Sequence, residues 1–179
     1  MKEIVEEIRK IPAYIGETLR GDLMVKELAE RYANEKSVFF IGRGIDYAVA
    51  LEGSLKLKEI SYIHCEAYAA GELKHGTIAL IEKGTLVVAL ATQVALFEKM
   101  LSNIKEVKAR GAKVLTITSS NTDIFAAESD YVIQLPKQSS FFAAASAVIP
   151  LQLFAYYCAL NKGCDVDKPR NLAKSVTVE

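Results

Sequence analysis

Glu52, Lys56 and Glu59 recur at spacings of four and three residues in the run AVALEGSLKLKEISYI, residues 48–63. At roughly 100° per residue these side chains, together with Ile63, fall in one narrow arc of a helix. Leu51, Leu55, Ala48 and Tyr62 flank the arc on one side, Val49 and Ile60 on the other. A solvated helix face spreads its charges over a broad polar arc. Here a thin strip of carboxylate, ammonium and carboxylate is set into an apolar surface. Two readings fit it. One is a Glu52–Lys56 pair that steadies the helix by about 0.2–0.5 kcal/mol. The other is a partly buried strip for proton chemistry, since charge taken from water must be paired and such groups gather at reactive sites.

The next stretch, CEAYAAGELKHG over residues 65–76, places His75 in a loop between Lys74 and Gly76. Histidine changes charge near neutral pH and suits acid/base work, though a loop histidine is equally compatible with plain solvation. His64 is expected at a helix end, packed or capping. Lys174, near the end of the chain, carries no pattern that separates it from a solvated lysine. Cys65, Cys158 and Cys164 have no metal-ligand spacing with the two histidines, and read as reduced thiols with no metal site.

These residues need a scaffold. Residues 2–34 have helical spacing, interrupted between Gly16 and Gly21. SVFFI (37–41), TLVVALA (85–91), AKVLTIT (112–118) and YVIQL (131–135) are short apolar runs, as in strands buried on both faces. Helical stretches over about 46–63, 94–109 and 140–160 lie between or after them. The pattern is a parallel sheet covered on both faces. The expected organisation is lead-in helices over 1–34, an α/β domain over 35–163 and a tail without periodicity over 164–179.

In such sheets ligands sit beyond the carboxyl ends of the strands. Three turns lie there: 42–46, 91–94 and 118–123. Gly42-Arg43-Gly44 suits either an anion site on helix N–H groups or an empty tight turn. Thr118-Ser119-Ser120-Asn121-Thr122-Asp123 suits either a hydroxyl-rich site or a helix cap. Neither is a strong phosphate cradle.

Composition narrows the partners. The chain has 179 residues, half apolar, with Lys+Arg and Asp+Glu balanced at 22 each. That balance gives no electrostatic reason to expect nucleic acid or an anionic membrane. The amino end, MKEIVEEIRKI, is too charged for a signal peptide. The weakly charged stretch 139–161 contains Pro150, Gln152 and serines, and is expected to be a buried helix rather than a membrane span. A cytoplasmic location follows as the expectation.

Gly42-Arg43-Gly44, the run ALEGSLKLKEISYIHCEAYAAGELKHG (50–76) and the ending DVDKPRNLAKSVTVE (165–179) closely resemble the isomerising glutamine–fructose-6-phosphate aminotransferase family. The resemblance covers essentially the whole chain. It implies the second sugar-isomerase (SIS) subdomain of such an enzyme plus its carboxyl-terminal tail, with a three-layer α/β/α sandwich built on a mostly parallel, flavodoxin-like doubly wound sheet. It implies that Glu59 moves a proton between sugar C1 and C2. His75 would open the sugar ring, reaching the site of a neighbouring subunit in a homodimer. Lys174 would form a Schiff base with open-chain fructose 6-phosphate, and Glu52, Lys56 and Ala173 would line the site. No cofactor is implied. The family's Ser/Thr-rich phosphate cradle, in the first SIS subdomain, and its glutaminase domain lie outside this sequence. The chain alone is therefore expected not to make glucosamine 6-phosphate. Thr77 stands where many members have proline. A second possibility is a SIS module that senses sugar phosphate without catalysis. It would need neither Glu59 nor Lys174 and would have serine-rich turns.

Overall fold

Side chains along each central strand alternate between two cores, because successive Cβ atoms of a strand point to opposite faces of the sheet. In the computed structural model, which describes residues 2–120 and 123–170, β1 (Ser37–Gly42) sends Val38 and Phe40 to one side and Phe39 and Ile41 to the other. β3 (Leu86–Ala91) does the same with Leu86, Val88 and Leu90 against Val87, Ala89 and Ala91. Strands buried on both faces must be apolar throughout, which is why the runs carry almost no charge.

The elements follow in the order α1 (Lys2–Arg20), α2 (Asp22–Tyr32), β1, α3 (Ile45–Ser61), β2 (His64–Ala69), β3, α4 (Phe97–Lys108), β4 (Lys113–Thr118), α5 (Asp123–Ala126), β5 (Tyr131–Gln134) and α6 (Ala143–Asn161). Short 3-10 turns, Ala70–His75 and Thr77–Leu80, join β2 to β3. All five strands are parallel, in the order β2-β1-β3-β4-β5. This is a doubly wound sheet whose winding reverses between β1 and β3.

One core lies between the sheet and α2, α3 and α6, built on Leu28, Leu57, Leu151 and Phe154. The other lies under α4, α5 and the 3-10 turns, built on Leu73, Met100, Ile104 and Phe125. By length and composition α6 could cross a membrane. Its Ala147, Leu151, Phe154, Ala155 and Cys158 are instead buried in the first core.

Helix ends direct the chain. α4 and α6 both finish in a Schellman arrangement: Gly111 and Gly163 adopt φ of 86° and 66°. Ala112 N–H donates to Val107 O and Cys164 N–H to Ala159 O. α3 finishes on Tyr62 at φ 59°, the only non-glycine with positive φ among the described residues.

Three corrections follow. His64 does not sit at a helix end, packed or capping; it opens β2, exposed, three residues past the end of α3. Ile63 is not on the charged face of α3, because Tyr62 ends the helix and turns Ile63 into the core. α6 begins at Ala143, since Ser139 and Phe142 first form a turn. The described part of the tail, residues 164–170, contains no helix or strand. Asp165 Oδ1 accepts the N–H groups of Asp167 and Lys168, both at 3.0 Å, folding the chain back.

Candidate active site

Glu52, Lys56 and Glu59 share one face of α3, as their spacing requires. Lys56 Nζ lies 2.6 Å from Glu59 Oε2 and 3.8 Å from Glu52 Oε1. The three side chains are 43%, 33% and 24% exposed in the order Glu52, Lys56, Glu59, so the strip is half-sunk, with Glu59 deepest. The hydrogen bond to Glu59 raises the Lys56 pKa; burial opposes this and both carboxylates add to it. The rest of α3 is held rigidly. Val49, Ala50, Gly53, Ser54 and Leu57 are buried, and a Cβ on Gly53 would lie 2.6 Å from Leu151 of α6. Leu51 and Leu55, beside the strip, remain 45% and 41% exposed.

Immediately beyond the strip, the Tyr62 hydroxyl accepts the Arg170 backbone N–H at 2.8 Å. The Arg170 guanidinium lies 4.1 Å from the centre of the Tyr62 ring, a cation–π contact. The start of the tail is therefore seated at the end of α3. Ala173 and Lys174 lie outside the described residues.

His75 closes the 3-10 turn Ala70–His75, with Nδ1 2.6 Å from Glu72 Oε2, and its side chain is 74% exposed. Among the described residues no contact joins it to the α3 strip. Its turn is anchored from behind. Lys74 Nζ is 2.8 Å from Glu106 Oε1. Asn103 Nδ2 donates to Glu106 Oε2 and Arg43 Nε donates to Asn103 Oδ1. Arg43 also packs over Gly71, where a Cβ would come 3.0 Å from the guanidinium. Burial alone would raise the Glu106 carboxyl; its bonds to Lys74, Asn103 and Ser102 hold it below the usual carboxylate value.

The crevice where the winding reverses carries a carboxylate of its own. Asp46, buried in the first turn of α3, accepts the Thr92 N–H at 2.8 Å and the Thr92 hydroxyl at 2.5 Å. Burial pushes its pKa up, and the bonds from Thr92 and Gln93 pull against that. Gly42 is required here, since a Cβ would lie 2.5 Å from the Asp46 backbone. Gln93 in turn donates to Ser140 O at 3.0 Å. An anionic side chain thus occupies the turn that the sequence left open to an anion. In the hydroxyl-rich turn, Asn121 and Thr122 lie outside the described residues.

A cavity of about 590 Å³ opens elsewhere, at the amino ends of the strands between Ser37, His64, Glu82 and Thr85. No α3 residue lines it. Depth alone therefore does not identify the site; the clustering of charge on α3 does. Tyr62, Arg170, Asp46 and Glu106 escaped sequence reasoning. Only Asp46, an acid two residues past Gly44 in a first helical turn, had a readable signal.

Over all 179 residues the chain is 59% identical to the glutamine–fructose-6-phosphate aminotransferase (isomerizing) of Clostridium tetani. It is 58% identical over 177 residues, 99% of the chain, to that of Caldanaerobacter subterraneus subsp. tengcongensis. In both cases it spans 29% of the relative's length. It superimposes with a TM-score of 0.88, at 40% identity, on the C-terminal domain of glucosamine-fructose-6-phosphate aminotransferase from Francisella tularensis, covering 94% of this chain and 48% of that one. Residues 31–162, from the end of α2 through α6, match the SIS domain. With a parallel sheet in the doubly wound order and a family match over most of its length, the chain belongs to the SIS domain family.

Proposed function

We propose that this chain supplies the proton-transfer and Schiff-base residues of a site that converts fructose 6-phosphate to glucosamine 6-phosphate, as the second isomerase half of a glutamine–fructose-6-phosphate aminotransferase. The observation that carries the reading is the half-sunk Glu52–Lys56–Glu59 strip on a rigid α3, in a chain 59% identical to such an enzyme.

In this reading Lys174, once deprotonated, attacks C2 of the open-chain ketose, and loss of water gives an imine. Ammonia delivered from elsewhere in the assembly exchanges onto C2 and frees the lysine. Glu59 then removes a proton from C1 as the imine nitrogen gains one, giving an enolamine, and returns the proton to C2 as O1 gives up its own, leaving an amine at C2 and an aldehyde at C1. A carboxylate in an apolar wall is suited to take and return a proton, and a lysine nucleophile is favoured by desolvation. Lys56 neutralises the strip and can bind substrate oxygens. His75, presented outward, serves ring opening in a neighbouring subunit of a homodimer. The phosphate is gripped by the first SIS half.

The test joins the chain to that first half, in cis or in trans, and follows conversion of fructose 6-phosphate to glucose 6-phosphate. Lys174→Ala and Glu59→Gln are each expected to lower kcat by about 100-fold or more. Activity that survives both substitutions defeats the role assignment. Tight sugar-phosphate binding with no turnover would place the chain with non-catalytic SIS modules instead.

A further inference from the structure

Three long helices precede turns that need a left-handed residue. Two of those turns use glycine, at 111 and 163, where the absence of Cβ makes positive φ easy. The turn after α3 uses Tyr62 at φ 59°, although an L side chain is disfavoured there. Backbone strain of this kind persists where the surroundings over-determine it, often beside functional groups. What the tyrosine gains is Arg170: its hydroxyl accepts the Arg170 N–H at 2.8 Å and its ring carries the guanidinium at 4.1 Å. The Asp165 turn, which accepts two backbone N–H groups, folds the chain back to make that contact.

We propose that Tyr62 is a positioning residue whose ring and hydroxyl clasp Arg170 and thereby hold the start of the tail at the end of α3. The consequence is one of reach. Glu59 precedes Tyr62 by three residues on the same helix, about 4.5 Å of rise. Lys174 follows Arg170 by four residues, which span at most about 14 Å. The clasp therefore fixes the point from which those four residues start, at the end of the helix that carries Glu59, and lowers the entropic cost of bringing amine and carboxylate to one substrate. This deepens the function proposed above and rests on Lys174 being the residue that meets the sugar.

Two measurements on the full 179-residue chain separate the clasp from that reading. The first is limited trypsin digestion, with cleavage after Arg170 read by mass spectrometry. Tyr62→Gly relieves the left-handed strain, so its melting temperature should stay within a few degrees of wild type. Cleavage after Arg170 should nevertheless accelerate about tenfold, because proteolysis follows local opening. Tyr62→Phe, which keeps the ring, should fall between. Equal cleavage rates in wild type and Tyr62→Gly, or a loss of stability that accounts for the faster cleavage, overturn the clasp. The second, with the first SIS half supplied in trans, is borohydride trapping with fructose 6-phosphate at saturating concentration. The adduct on Lys174 should form more slowly in Tyr62→Gly than in wild type, with Tyr62→Phe restoring most of the rate. Unchanged trapping alongside lost protection overturns the positioning role. No adduct in wild type, with protection intact, sinks the Schiff-base reading and with it the positioning role, while the contact itself stands.

Discussion

Two carboxylates, Asp46 buried and Asp130 partly buried, respond to pH in opposite senses. Asp130 bonds to Lys108 at 2.6 Å, to Lys113 at 3.0 Å and to the Val114 N–H at 2.9 Å. Burial would raise its pKa, but the three donors outweigh that and hold it at about 2 against the usual 3.8. A depressed folded value means stabilisation present above 3.8 and lost as pH falls towards 2. The amount is about 2 kcal/mol. Asp130→Asn should therefore unfold more readily than wild type at pH 7 in urea, with the gap narrowing between pH 4 and 2. Asp46 is shifted the other way, burial being the larger cause. Its contribution is most favourable below 3.8 and is lost as pH rises through its raised folded value. Thr92→Val removes one donor and should cost about 1.5–3 kcal/mol near neutrality. That deficit should shrink on acidification, because a protonated Asp46 no longer needs the hydroxyl. A deficit that grows at low pH would show that the Thr92 bond does not serve the carboxylate.

At the scale of elements, the strip depends on α3 keeping its place against α6. Gly53 faces Leu151, and an added Cβ would lie 2.6 Å from its Cδ1 and 3.2 Å from its Cβ. Alanine is the better helix former by about 1 kcal/mol. Overpacking against a buried leucine costs about 1–3 kcal/mol, so Gly53→Ala should be destabilising overall in thermal melts. The elements themselves differed in how readable they were. β1, β3 and β4 are apolar because helices cover both their faces, and that left runs such as TLVVALA plain in the sequence, while β5, an edge strand only partly buried, still kept the short apolar run YVIQL. β2 is an edge strand, HCEAYA, with only Cys65 fully buried, and so lacked both a continuous apolar run and clean alternation. The strip was legible because helical spacing alone puts Glu52, Lys56 and Glu59 together. The clasp was not. It depends on a left-handed tyrosine and on a partner 108 residues away, and neither leaves a local pattern.

At the scale of the whole molecule, one observation separates His75 from the rest of the candidate site. Its imidazole is 74% exposed and, among the described residues, paired with Glu72, while Glu59 sits half-sunk on α3. The exposed Leu51 and Leu55 lie beside the strip, and Ile4, Val5 and Ile8 leave α1 with an uncovered apolar edge. Apolar surface of this kind favours association with further protein. If His75 acts in the site of a neighbouring subunit, two inactive variants can repair each other. Glu59→Gln retains a working histidine, and His75→Ala retains a working carboxylate. Mixed at equal amounts after dissociation, with the first SIS half supplied, half of the dimers are hybrids, each with one complete site. Isomerase activity should return to about a quarter of wild type, the share a twofold assembly dictates. A mixture that stays as inactive as its parents, with hybrids present by native mass spectrometry, would mean that His75 serves its own subunit. The turn held by Lys74, Glu106 and Arg43 would then have to swing His75 inward over α3.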